Sequence, residues 1–108
     1  MNKHYHFIGI GGIGMSGLAT LLLQQKFTVS GSDRTANTAT KSMAEKGAVV
    51  YHGHEAANIK PGMTVVYTTG VDCSNPEYSA AQSSGCNLIH RSDLLKEVSS
   101  PFQTLAVS

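Results

Sequence analysis

The chain has 108 residues, of which 41% are hydrophobic and 14% are charged, and its formal net charge is +1. This length allows one domain, and the near-neutral charge argues against nucleic acid or an anionic membrane surface as a partner. No apolar run approaches the roughly 20 residues of a membrane span, and the first residues do not resemble a signal peptide.

Strand and helix patterns alternate from the start of the chain. A short aromatic and β-branched strand over residues 5–9 precedes a helix over residues 13–25, whose apolar residues recur at helical spacing. A second strand over residues 27–31 ends at Ser32-Asp33. A weaker helix over residues 37–46 is closed by Gly47.

The second half of the chain continues this alternation. Strands are predicted over residues 48–51, 64–68 and 87–90, and residues 103–107 begin another. Asn75-Pro76-Glu77 is typical of a helix start, and that helix ends near Gly85. Ser92-Asp93 is predicted to cap a short helix that Pro101 ends. The pattern predicts an α/β fold with a Rossmann-like open, mostly parallel sheet of five to six strands and helices on both faces.

A glycine run lies between the first strand and the first helix. Gly9, Gly11 and Gly14 match the pattern G-x-G-x-x-G, with Gly12 as an extra glycine. Such a turn brings backbone N–H groups, here those around Gly11, Gly12 and Ile13, to a helix N-terminus that can hold a phosphate or diphosphate. No lysine follows, so the run is not a nucleoside triphosphate loop of the Walker type. A tight turn that binds nothing is the alternative.

Other candidate ligand contacts follow the later strands. Asp33 lies nineteen residues after Gly14, where dinucleotide-binding folds carry a carboxylate that contacts ribose. Arg34 can lie over a base or a phosphate. His54, Thr68 and Thr69 follow further strands at the same edge, where open α/β sheets bind ligands. Ordinary turn chemistry explains His54, Thr68 and Thr69 equally well, and it is the alternative for Asp33 and Arg34.

The sequence offers little else that carries chemistry. His4-x-His6 with His52-x-His54 has no carboxylate or cysteine to complete a metal site, so we expect no metal. No catalytic constellation is evident, and Asp93 with Glu97 is typical of a solvated helix face. Cys73 and Cys86 form no C-x-x-C pair, and we expect reduced thiols in a cytoplasmic protein.

Several stretches resemble the UDP-N-acetylmuramate–L-alanine ligases of the Mur ligase family. The resemblance begins with two runs, His6 to Ala19, containing G-x-G-G-x-G-M-S-G, and Val29 to Asp33. It continues in order through Gly53-His54, Val65 to Thr69, Asn75-Pro76-Glu77 and His90 to Leu95. It therefore spans nearly the whole chain.

The resemblance implies a UDP-sugar-binding N-terminal domain over residues 1–108, with UDP-N-acetylmuramate as its ligand and no nicotinamide. It implies that Ile10, Gly11, Gly12, Ile13 and Gly14 contact the diphosphate. It also implies a uridine pocket, made of Ser32, Asp33, Arg34, His54, Thr68, Thr69 and Gly70. The resemblance also implies that ATP and magnesium are held by central and C-terminal domains of the family, beyond this sequence, so we expect this chain alone to have no ligase activity and no catalytic residue.

Two departures and two alternatives accompany this interpretation. The chain ends at Ser108, before the glycine-lysine-threonine ATP loop of the family, and residues 71–74 differ from the usual pattern. The position of Asp33 also permits the dinucleotide-binding domain of an NAD-dependent oxidoreductase. A nucleotide-sensing module without catalysis is the other alternative, and the sister ligase that acts on recycled muropeptides is a minor one.

Overall fold

The computed structural model describes residues 4–12, 14–34, 38–71 and 73–96, and for Ala39 the backbone alone. Strands and helices alternate through these ranges, as the sequence predicts. The elements are β1 (His4–Ile8), α1 (Met15–Gln24), β2 (Thr28–Asp33), α2 (Thr38–Glu45), β3 (Val49–His52), a 3₁₀ turn (Ala56–Asn58), β4 (Thr64–Tyr67), α3 (Pro76–Ser83) and β5 (Asn87–His90). Residues 91–96 are helical. The further strand predicted over residues 103–107 lies outside the described residues.

The five described strands form one parallel sheet in the order β3-β2-β1-β4-β5. The chain first builds outwards from β1 to β3 and then crosses to the other side of β1. The loops after β1 and β4 therefore leave the sheet in opposite directions and open a crevice at its carboxyl edge. The predicted α/β fold with a parallel Rossmann-like sheet is confirmed.

Alternating residues of the central strands pack on opposite faces of the sheet. On β1, Tyr5 and Phe7 face one hydrophobic cluster, which includes Met15, Leu18 and Leu22 of α1. Ile8 faces a second cluster with Val65 and with Ala81 of α3. Helices thus cover both faces, and none of the described helices is long and apolar enough to cross a membrane.

Capping contacts decide where two of the helices begin. Asn75 caps α3 as predicted, because its Oδ1 accepts from the N–H of Glu77 at 2.9 Å. The cap predicted at Ser92-Asp93 is wrong. Residues 91–96 are already helical, and His90 Nδ1 accepts from the N–H of Ser92 at 3.2 Å, so His90 acts as the cap.

The glycine loop docks tightly on β2. The N–H groups of Gly9 and Ile10 both donate to the carbonyl oxygen of Ser32, at 2.7 and 2.9 Å. The Ile10 side chain is fully buried and lies over Gly31, where a Cβ would come within 2.5 Å of the Ile10 Cβ. The missing side chain at Gly31 therefore lets the loop approach the strand.

Substituting Gly31→Ala is expected to destabilise the fold by about 1–3 kcal/mol, because the new methyl overlaps Ile10 and forces the loop to move. Gly17→Ala is the matched control: Gly17 is exposed in α1, with nothing within 4 Å of its Cβ position, so a neutral or slightly stabilising effect is expected. Urea unfolding measures both. Equal stability of the two variants would contradict the expected overlap with Ile10.

Candidate functional site

The crevice at the carboxyl edge of the sheet is the candidate functional site. Its main volume is about 490 Å³, and it lies between the glycine loop, the end of β2 and the turn after β4. A smaller recess of about 260 Å³ shares part of this lining and reaches the start of α3. Six of the predicted site residues line the main volume, namely Gly12, Asp33, Arg34, His54, Thr68 and Gly70.

The N–H groups of the first half of the glycine loop are bonded within the chain. Those of Gly9 and Ile10 bind Ser32, and that of Gly12 donates to the Gly9 carbonyl at 2.9 Å. The Gly11 N–H donates to Asp33 Oδ2, also at 2.9 Å. Asp33 therefore holds the loop against the end of β2, a role that sequence reasoning did not assign to it.

Several predicted contact residues do not line the crevice. Ile10 lies in the core, and Ser32 is fully buried beneath the site. The Thr69 hydroxyl is 3.0 Å from Nε2 of His90, towards β5. Gly14 is exposed where α1 begins, and Ile13 lies outside the described residues. The predicted pocket is thus assembled in part.

Glu77 is a buried carboxylate beneath the crevice that sequence reasoning treated as an ordinary first-turn acid. Its side chain has no exposed surface. Oε1 accepts from His6 Nε2–H and from the Ser32 hydroxyl, both at 2.7 Å. Oε2 accepts from Asn58 Nδ2 at 2.8 Å and from the N–H of Glu55 at 3.2 Å. Four donors thus surround one carboxylate.

The hydrogen-bond network around Glu77 reaches the crevice in one direction and the start of β1 in the other. Ser32 Oγ lies 2.7 Å from Nδ1 of His54, which lines the crevice. On the far side, the Ser30 hydroxyl lies 2.8 Å from both His6 Nδ1 and His4 Nε2. No described side chain has a buried polar atom without a partner.

Opposing effects set the charge of Glu77. Burial raises the pKa of this carboxyl group, but hydrogen bonds from His6, Asn58 and Ser32 outweigh burial, and the pKa lies below its ordinary value. The N-terminus of α3 also favours the negative charge, because Glu77 lies in its first turn. Glu77 is therefore an ionised acceptor at neutral pH.

Two further residues, one beside the crevice and one lining it, escaped sequence reasoning. The guanidinium of Arg91 lies over Gly14, with Nη1 only 3.1 Å from the position that a Cβ there would take. Asn75, recognised as a helix cap, also lines the crevice. The sequence signal for the buried network was His6, which stands between Tyr5 and Phe7 in the strand predicted over residues 5–9.

Metal ligands are not grouped in the part of the chain that the structure describes, where no three His, Cys, Asp or Glu side chains could hold an ion together. His4 and His6 both contact Ser30 instead. Cys73 and Cys86 are free thiols.

Comparison with known proteins adds family information. The family model described as "Mur ligase family, catalytic domain" matches residues 4–103. A UDP-N-acetylmuramate–L-alanine ligase of Protochlamydia amoebophila is 48% identical over the whole chain, which spans about a quarter of that relative, 24% of its length.

Solved structures agree with this match. A UDP-N-acetylmuramate–alanine ligase from Thermotoga maritima superposes with a TM-score of 0.87 at 27% identity, over 93% of this chain and 23% of that one. A ligase from Neisseria named for UDP-N-acetylmuramate and an L-alanyl-γ-D-glutamyl-meso-diaminopimelate peptide superposes with a TM-score of 0.80 at 29% identity, over 90% and 31% of the two chains.

Replacing Glu77→Gln is expected to lower stability at neutral pH by about 1–3 kcal/mol. The amide oxygen can still accept, but the NH₂ group takes the place of Oε2. It then faces the N–H donors of Asn58 and Glu55, which Oε2 had accepted from. Glu45→Gln, at an exposed position of α2, is the matched control and should change little. Urea unfolding of both variants tests this, and a Glu77→Gln chain as stable as the control would refute it.

Acidification is expected to destabilise the fold in two steps. Burial, with repulsion from His6 and Lys60, holds the pKa of His4 below its ordinary 6.5. The unfolded chain therefore binds more protons than the folded chain once the pH falls below about 6.5, and stability declines. Glu77 adds a second decline below about pH 4.5, because its folded pKa lies under the ordinary 4.5.

Urea midpoints between about pH 8 and pH 3 measure these steps. The upper decline should be smaller in His4→Gln and the lower one smaller in Glu77→Gln. A profile that both variants leave unchanged would show that other groups cause the acid sensitivity.

Proposed function

The chain belongs to the Mur ligase family, and we propose that it is the N-terminal, UDP-sugar-binding domain of a UDP-N-acetylmuramate–L-alanine ligase of peptidoglycan precursor synthesis. Its ligand in this proposal is the UDP part of UDP-N-acetylmuramate, in the cytoplasm. The observation that carries the proposal is the crevice at the reversal of strand order, which has a glycine loop on one side and His54 with the turn after β4 on the other.

The diphosphate is proposed to lie where α1 begins. An anion there meets the positive end of the α1 dipole. The guanidinium of Arg91 lies beside Gly14 at the same end. The N–H groups of residues 9–12 already have partners within the chain. The proposal therefore assigns phosphate oxygens to the N–H group of Gly14, with Gly11 available only in exchange for Asp33. The contact with Ile13, which lies outside the described residues, is proposed from the family resemblance alone.

The uridine is proposed to occupy the other end of the crevice. Arg34, His54 and Asn75 line both the main volume and the recess, and supply donors and acceptors. Thr68 and Gly70 border the same space from the end of β4. These side chains offer donors and acceptors to the polar edge of a base.

Among the described residues, neither an ATP loop of the Walker type nor a magnesium site is found. The glycine run is not followed by a lysine, and the described part holds no cluster of metal-ligating side chains. ATP-dependent activation of the muramate carboxyl group, and attack by the amine of L-alanine, are therefore assigned to the other domains of the ligase. This domain contributes by binding the substrate and positioning it, and the chain alone is expected to be inactive.

The titration that tests the proposal adds UDP-N-acetylmuramate or NAD to the purified chain. We expect calorimetry to detect binding of the UDP-sugar and not of NAD. The carboxylate of Asp33 accepts a hydrogen bond from the glycine loop, whereas a nicotinamide-binding domain uses the carboxylate at this position to contact ribose. Binding of NAD without binding of the UDP-sugar would overturn the proposal in favour of an oxidoreductase domain.

Gly14→Ala should weaken binding of the UDP-sugar about tenfold or more, because a residue with φ of +83° disfavours a side chain and the new Cβ meets Arg91. Gly85→Ala is the matched control. It carries similar backbone strain, with φ of +72°, but has nothing within 4 Å of its Cβ position. Calorimetry should find affinity lost in Gly14→Ala alone, and equal losses in both variants would count against this site.

A further inference from the structure

Resting on the proposed function, we infer that Glu77 is a positioning residue, which acts through Ser32 to keep the proton of His54 on Nδ1. Nε2 of His54 then presents a lone pair to the crevice, and this lone pair selects uracil over cytosine. Neither Glu77 nor Ser32 touches the ligand in this arrangement. They act by deciding which nitrogen of His54 carries the proton.

The order of protons follows from the partners. The ionised carboxylate of Glu77 can only accept, so the single hydroxyl proton of Ser32 points to Glu77 Oε1 at 2.7 Å. Ser32 Oγ can then only accept from His54, whose Nδ1 is 2.7 Å away. Nδ1 of His54 must therefore be the protonated nitrogen, and in the neutral ring Nε2 is an acceptor.

Glu77 is held too firmly to reverse this order. Its Oε1 also accepts from His6, and its Oε2 accepts from Asn58 and from the N–H of Glu55. Turning the carboxylate away from Ser32 would leave buried donors without partners, which is costly. The direction of the Ser32 hydroxyl is thus imposed by the fold rather than by the ligand.

The second nitrogen of His54 faces the crevice. The His54 side chain is 13% exposed, and its hydrogen bond to a described residue is made by Nδ1. Since no described side chain has a buried polar atom without a partner, Nε2 reaches open space. His54 borders both the main volume and the recess, so this space is the site itself.

An acceptor at this point distinguishes the two pyrimidines. The Watson–Crick edge of uracil carries an N3–H donor between two carbonyl oxygens, whereas N3 of cytosine is an unprotonated acceptor. His54 Nε2 can accept from uracil N3–H but would meet a lone pair on cytosine. A site built to hydrogen-bond a ligand N–H discriminates strongly against an analogue that lacks it.

The tautomer is measurable directly on the wild-type chain. In a long-range proton–nitrogen correlation spectrum of the ¹⁵N-labelled protein at a pH where imidazole is neutral, we expect a pyrrole-type shift for His54 Nδ1 and a pyridine-type shift for Nε2. Ser32→Ala should lose this pattern. The reverse assignment in the wild type, with the proton on Nε2, would overturn the inference whatever the variants do.

The selectivity test compares UDP with CDP by calorimetry. The wild-type chain should favour UDP by about tenfold or more. In Ser32→Ala the ratio should fall towards equal affinity, because His54 Nδ1 then loses the hydroxyl group that accepts its proton. Ser79→Ala, at an exposed helix position, is the matched control and should keep the wild-type ratio.

The outcomes separate the two claims. If the wild-type chain binds neither UDP nor UDP-N-acetylmuramate, the proposed function fails, and this inference fails with it. If the chain binds UDP and CDP equally, the inference fails alone. If Ser32→Ala, shown to be folded by its amide spectrum, keeps the wild-type preference, the control of His54 by Glu77 is disproved even though UDP binds.

Discussion

The buried carboxylate of Glu77 is the interaction on which the geometry of the site depends. Taking this charge out of water is unfavourable, and only complete hydrogen bonding offsets the loss of hydration. The donors come from three places, since His6 is on β1, Ser32 on β2, and Asn58 and Glu55 lie in the segment after β3. Because the charge needs all four donors, these elements are held in one arrangement around the start of α3.

Ser32 couples the two sides of the crevice within a single residue. Its carbonyl oxygen accepts from Gly9 and Ile10, which seats the glycine loop on β2. Its hydroxyl group joins Glu77 to His54 on the opposite wall. The next residue, Asp33, adds a third contact by accepting from Gly11. The end of β2 therefore sets the spacing between the loop proposed to hold a diphosphate and the histidine proposed to face a base.

Local sequence signals predicted the elements well, and long-range contacts explain what they missed. The parallel α/β sheet and the Asn75 cap follow from residue types close together in the chain. Glu77 carries the same helix-start signal whether it faces solvent or the core, and its partner His6 is 71 positions away. Likewise Ser92 resembles a cap, but His90 at the end of β5 performs that role. Hydrogen bonds between distant elements leave no periodic pattern to detect.

Among the residues that the structure describes, the electrostatics of the crevice follow from how Asp33 and the underlying Glu77 are used. A net charge of +1 provides no long-range attraction for an anion, and carboxylates near a phosphate would oppose binding. Glu77 is buried among four donors, and Asp33 is engaged by a backbone N–H, so much of each charge is compensated locally. The guanidinium of Arg91 and the N-terminus of α1 then act at short range. Such a site selects by the position of its donors and acceptors more than by its overall charge.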